Sequence, residues 1–113
     1  KHLLDPNVSD AQLGERIEDV VRIPPCAGFT IDKRGRIYFS AFTENAMLVL
    51  GDDGTPRPLV ADPRISFPNE PDIGPDDCLY FPGSQIHRLP GFQADGKSQV
   101  KAPWEVLKVK IAD

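Results

Sequence analysis

Five side chains in the 113-residue sequence stand where they could hold a ligand: Asn45, Asn69, Glu70, Gln85 and His87. Each lies in a loop-forming stretch between runs of alternating apolar and polar residues. Amide oxygens together with a carboxylate are the hard donors that calcium takes, so Asn45, Asn69 and Glu70 are the candidates for such an ion. The same amides, with His87, can instead orient a small organic molecule. His87 is also a conceivable general base, but that work needs a nucleophile or an acid placed beside it, and the sequence places none. No G-x-S-x-G, H-E-x-x-H or phosphate-cradling glycine loop occurs. The ordinary role of each polar residue is to cap a loop, and that of a lone histidine is structural. No catalytic residue is assigned.

The elements that position these residues follow from the hydrophobic period. Ser9 and Gln12 have the spacing of a capping box, and Leu13, Ile17, Val20 and Val21 recur on one helical face, so a helix is predicted over 9–21. Gly14 weakens it and Pro24-Pro25 ends it. From Gly28 the period becomes two. Strands are expected at 28–31, 36–42, 46–50 and 57–60, joined by polar turns at Asp32–Gly35 and Asp52–Gly54. Ile73–Phe81 then lies over Ile31–Phe39 without a gap, at a spacing of 42, each stretch ending in Tyr-Phe. Asp76 and Asp77 fall in the second copy's hairpin turn. A period of roughly 40–50 residues built from short strands is the signature of a propeller blade. The expected fold is all-β: a partial β-propeller of about two four-stranded antiparallel blades with one short N-terminal helix. The first blade spans 25–62. The second, incomplete, spans 67–113 and carries a polar insertion at 89–103 before a strand at 104–111.

Up-and-down connection sorts the loops by end. Pro25–Gly28, Thr43–Asn45, Phe67–Glu70 and Gly83–Arg88 converge on one rim, while the turns at 32–35 and 76–77 face away. A pocket is expected on the first rim.

Composition limits the partners. The chain is 40% hydrophobic and 27% charged, with a net charge of -4 and no basic cluster, which argues against nucleic acid and against an anionic membrane surface. No apolar run is long enough for a transmembrane helix. Twelve prolines and nine glycines exceed the usual share of about 12% and point to many short elements. Cys26 and Cys78 show no zinc spacing and read as small hydrophobes. The chain starts at Lys1 with no visible signal segment, so the compartment stays open.

Three stretches carry a family resemblance: LLDPNVSDAQLGERIEDV, PPCAGFTIDKRGRIYFSAFTENAMLVL and LVADPRISFPNEPDIGPDDCLYFPGSQIHRLPGF. In order and content they resemble the C-terminal part of the major royal jelly protein/yellow family. The resemblance implies a longer six-bladed propeller, secreted or periplasmic, of a kind that binds small amines. The architecture is also similar to the gluconolactonase-like propellers, calcium-dependent lactone hydrolases. Two rim positions depart from the family pattern: Ala27-Gly28 replaces Asp-Gly, and Phe67-Pro68-Asn69 replaces Trp-Pro-Asp. Both changes remove a carboxylate, whereas Gln85-Ile86-His87-Arg88 matches. The expected function is therefore a small-molecule-binding, non-catalytic propeller fragment without a cofactor. The alternatives are a calcium-dependent lactonase-like hydrolase and a structural module with no ligand. Two blades out of a ring are expected to expose Ile37, Phe39, Leu48, Leu79 and Phe81, and so to self-associate as a dimer or a ring-completing oligomer.

Overall fold

The computed structural model describes residues 5–111. Its strands are β1 (Phe29–Ile31), β2 (Ile37–Ala41), β3 (Ala46–Leu50), β4 (Pro56–Ala61), β5 (Asp72–Ile73), β6 (Cys78–Gly83) and β7 (Glu105–Lys110). They form two antiparallel meanders, a four-stranded sheet in the order β1-β2-β3-β4 and a three-stranded sheet in the order β5-β6-β7. This is the construction of a partial β-propeller, with one complete blade and a second that lacks a fourth strand among the described residues.

The 42-residue offset holds at the level of individual hydrogen bonds. Ile31 pairs with Ile37 and Thr30 with Tyr38, and at the same offset Ile73 pairs with Leu79 and Asp72 with Tyr80. In the first turn Asp32 N–H donates to the Arg36 carbonyl and Gly35 N–H to the Asp32 carbonyl. In the second, Gly74 donates to Cys78 and Asp77 to Gly74. The left-handed position of the turn is Gly35 (φ 83°) in one copy and Asp77 (φ 54°) in the other. A side chain there is strained where glycine is not, by roughly 1 kcal/mol after the glycine's own entropy is counted. Asp77→Gly is accordingly expected to raise the unfolding free energy by about 0.5–1 kcal/mol, read from the urea midpoint.

The blades pack face to face. Tyr38 and Met47 of the first sheet meet Leu79 and Phe81 of the second, with Ile65 and Ile111 completing the cluster. On the first sheet's other face Phe39, Ala41, Ala46 and Leu48 form a second cluster with Cys26, Ile37 and Leu50. These contacts correct the expected exposure. Phe39, Leu48, Leu79 and Phe81 are all buried and Ile37 is half-buried. Leu79 and Phe81 are covered by the neighbouring sheet. Phe39 and Leu48 are closed in by residues of their own sheet and the loop that carries Cys26. On the two sheets, the large apolar residues that stay open are Phe29 and Ile31 on β1 and Val106 on β7, with Trp104 just before that strand.

The helix is shorter than its periodicity predicts. The capping box forms, with Gln12 N–H donating to Ser9 Oγ and Ser9 N–H to Gln12 Oε1, but the helix covers only Asp10–Gly14. Beyond Gly14 the apolar stripe has nothing to pack on: Ile17 and Val20 are 80% and 85% exposed. A few turns of helix without tertiary burial are marginal in water, so this one stops at the glycine.

Candidate functional site

The four rim loops do converge, and three of them are joined by aromatic rings. Phe42, just after β2, stacks on Phe67 with centroids 4.5 Å apart and planes 18° from parallel. Phe67 in turn stacks on the His87 ring at 5.7 Å and 17°. Both separations lie in the range of attractive aromatic pairs. Phe67 holds this place in a left-handed conformation, φ 54°, which is rare for a bulky residue and less favourable still immediately before Pro68. The surrounding chain enforces it. Ser84 donates to the Phe67 carbonyl from its N–H (3.1 Å) and from its Oγ (2.8 Å), and Gln85 N–H donates to the Ser66 carbonyl. Pro68, buried, bridges to Gly83. Strain of this kind costs on the order of 1–3 kcal/mol and persists only where neighbours over-determine it.

The fourth loop arrives through close packing. Ser40 is fully buried, and its Oγ accepts N–H bonds from Ala27 (2.9 Å) and Gly28 (3.2 Å), which draws that loop against the sheet. Gly28 lies so close to Glu70 that a Cβ on it would stand 2.5 Å from Glu70 Cγ and 2.7 Å from Glu70 Cα.

Each residue singled out from the sequence can now be placed. Asn69 Oδ1 accepts the Glu70 N–H at 3.0 Å, and its own N–H donates to the Pro82 carbonyl. Glu70 is exposed beside Gly28. His87 is exposed at the outer end of the ring stack, and its carbonyl accepts from Gln93 Nε2 at 2.6 Å. Asn45 is exposed at the end of the β2–β3 turn, in a left-handed conformation that asparagine tolerates. Its carbonyl accepts the Asp62 N–H. Gln85 is different: it is buried, with φ 51°. Its Nε2 donates to the Lys101 carbonyl at 2.8 Å, and its Oε1 accepts from Lys101 N–H (3.0 Å) and Arg88 Nη1 (3.1 Å). The Gln85 amide thus ties the 89–103 insertion back to the rim.

The end opposite the rim is built otherwise. A cavity of about 670 Å³ opens there between the two hairpin turns, so it is not made from the loops expected to form a pocket. Lys33 and Arg34 line one side and Asp72 and Asp77 the other. Beside them Asp32 is driven in two directions. Burial opposes its charge, but the Arg36 guanidinium (2.6 Å), the N–H groups of Arg36 and Arg34 and the Tyr38 hydroxyl outweigh that and hold its pKa at about 2. Asp76 is held at about 2 by the Tyr80 hydroxyl and, against partial burial, by Lys108. Each tyrosine of the repeat thus bonds the aspartate of its own turn. Among the described residues no group of three or more His, Cys, Asp and Glu side chains gathers in a metal-holding arrangement. Cys26 and Cys78 are free thiols, and no described helix is long and apolar enough to cross a membrane.

Sheets, seam and rim together define the class, a partial β-propeller whose rim carries an aromatic stack. No family profile and no curated protein sequence matches the chain. Among solved structures it is similar to virginiamycin B lyase from Staphylococcus aureus, with a TM-score of 0.46 and 12% sequence identity over 78% of this chain. The alignment spans 27% of the lyase.

Proposed function

We propose that the protein is a non-catalytic binding module of the yellow type, that it takes a small aromatic amine on the rim, and that it works as an assembly of copies. The observation that carries this reading is the Phe42–Phe67–His87 stack, with Phe67 in a backbone conformation that costs free energy to hold. Phe67 is sandwiched between the other two rings, so the open face of the stack is that of the exposed His87 ring, against which an aromatic ligand can stack for roughly 0.5–1.5 kcal/mol. Glu70, exposed three positions after Phe67, supplies the countercharge for an ammonium group, and Asn69 a hydrogen-bonding neighbour. Gln85 acts as the support of the His87 loop. The Ser84 hydroxyl, three residues from His87, is committed to the Phe67 carbonyl, which favours positioning over nucleophilic attack.

The test is thermal unfolding with tyramine and, separately, with calcium chloride. Saturating tyramine at about a hundred times its Kd is expected to stabilise the fold by about 2.7 kcal/mol, with calcium giving no shift. Phe67→Gly, which relieves the backbone strain while deleting the ring, is expected to stay folded and lose the tyramine response. Stabilisation by calcium alone would instead support a lactonase-like site on Asn45, Asn69 and Glu70. A response to neither ligand would leave a structural module.

A further inference from the structure

We propose that the two open faces of the paired sheets are the two halves of one interface, so that a second copy docks head to tail and repeats between molecules the seam seen between the blades. This deepens the assembly in the reading above and is independent of its ligand. Side chains alternate across a strand, so register assigns each residue to a face. In the first sheet, Tyr38 lies opposite Val49 and Ser40 opposite Met47 on one face, while Phe29 lies opposite Phe39 and Phe39 opposite Leu48 on the other. In the second sheet, Tyr80 opposite Lys108 and Pro82 opposite Val106 make one face, and Leu79 opposite Val109 and Phe81 opposite Leu107 make the other. The internal seam therefore joins the Tyr38 face of the first sheet to the Leu79 face of the second.

The repeat shows what the remaining faces match. The Tyr80 face is the counterpart of the Tyr38 face, and the Phe29–Ile31 strip is the counterpart of Pro71–Ile73. Met47 is fully buried in the seam, whereas Val106, which occupies the same place on the second sheet, is 71% exposed, with Trp104 beside it at 60%. Pro71 is buried and Ile73 half-buried, whereas Phe29 and Ile31 are 69% and 59% exposed. Val106 and Ile31 are thus open apolar residues whose counterparts, Met47 and Ile73, belong to the seam, with Trp104 and Phe29 extending the two strips. Because the two faces are complementary and not alike, they pair heterologously, which is the arrangement that closes rings. The Phe39–Leu48 half of the first sheet's face is already closed, so the contact falls on the Phe29–Ile31 strip.

Sedimentation velocity with two surface variants tests this. Val106→Glu disables one face and Phe29→Glu the other. Both side chains are more than two-thirds exposed, so the fold is retained and circular dichroism checks it. The parent protein is expected to sediment as more than one copy at high micromolar concentration, and each variant alone as a monomer. An equimolar mixture is expected to form a two-chain species, because each variant keeps one competent face. A monomeric parent, an assembly unaffected by Phe29→Glu, or a mixture that stays monomeric would overturn the head-to-tail seam. No ligand enters the measurement, so such a failure leaves the rim reading standing.

Discussion

Leu79→Ala is expected to lower the unfolding free energy by about 3–4 kcal/mol. Leu79 has no exposed surface and sits at the centre of the seam, among Tyr38, Met47, Phe81 and Ile111. Truncation removes apolar burial and leaves a void that two stiff, hydrogen-bonded sheets close poorly. For a domain of this size the loss corresponds to a fall of roughly 10–20 °C in Tm. Val106→Ala, on the open face of the adjacent strand, is the matched control, with a change within about 0.5 kcal/mol expected at low protein concentration. Urea denaturation of both variants gives the comparison. Equal midpoints would mean that the two blades are held together by their connections and not by the seam.

The paired hairpins of the two blades were legible in the sequence because a blade writes itself as repetition. The Ile31–Phe39 and Ile73–Phe81 stretches share their alternation, their turn length and their Tyr-Phe endings, and backbone pairing follows from those local properties. Even the exchange of Gly35 for Asp77 keeps the turn, since both residue types visit the left-handed region. What local pattern does not encode is which face finds a partner. Phe39 and Leu79 look alike as inward-facing strand residues. One is closed by its own sheet and the Cys26 loop, the other by the neighbouring blade. The helix shows the same limit from the other side. Leu13, Ile17, Val20 and Val21 are spaced for a buried stripe, but Ile17 and Val20 meet no surface, and without burial the stripe does not stay helical.

At the rim, the sequence reading named loops that the structure brings together, and it chose residues within them by chemical type. It gathered amides and carboxylates because those residue types carry chemistry, and passed over Phe42 and Phe67, which join three of the loops. A signal was present: an aromatic residue directly before a proline, inside a loop, has neither the alternation of a strand nor the polarity of a turn. Gln85 carries the opposite lesson. Its partner Lys101 becomes a neighbour only when the insertion folds back, a contact between residues 16 positions apart that no local spacing announces.

Gly28→Ala is expected to destabilise the protein by about 2 kcal/mol and to weaken tyramine binding with it. The added methyl would stand 2.7 Å from the Glu70 Cα, a backbone atom that cannot swing aside as a side-chain tip can. Backbone must move instead, and both loops resist it. The Ala27–Gly28 loop is anchored by two N–H bonds to the buried Ser40, and the Gly28 carbonyl accepts the Ser40 N–H at 3.1 Å. The Asn69–Glu70 loop is anchored as well, by the Asn69 N–H bond to the Pro82 carbonyl and the Ser84 bonds to Phe67, so the added methyl strains both loops and shifts Glu70. Gly14→Ala provides the contrast: a Cβ there meets nothing within 4 Å, and the change is expected to leave stability equal or raise it by up to about 1 kcal/mol. A Gly28→Ala protein with the parent's urea midpoint would mean that the loops slide past one another, and the rim would then lack the rigidity that holding a ligand against the stack requires. A lowered midpoint with unchanged tyramine affinity would remove Glu70 from the site and leave the rings alone to bind.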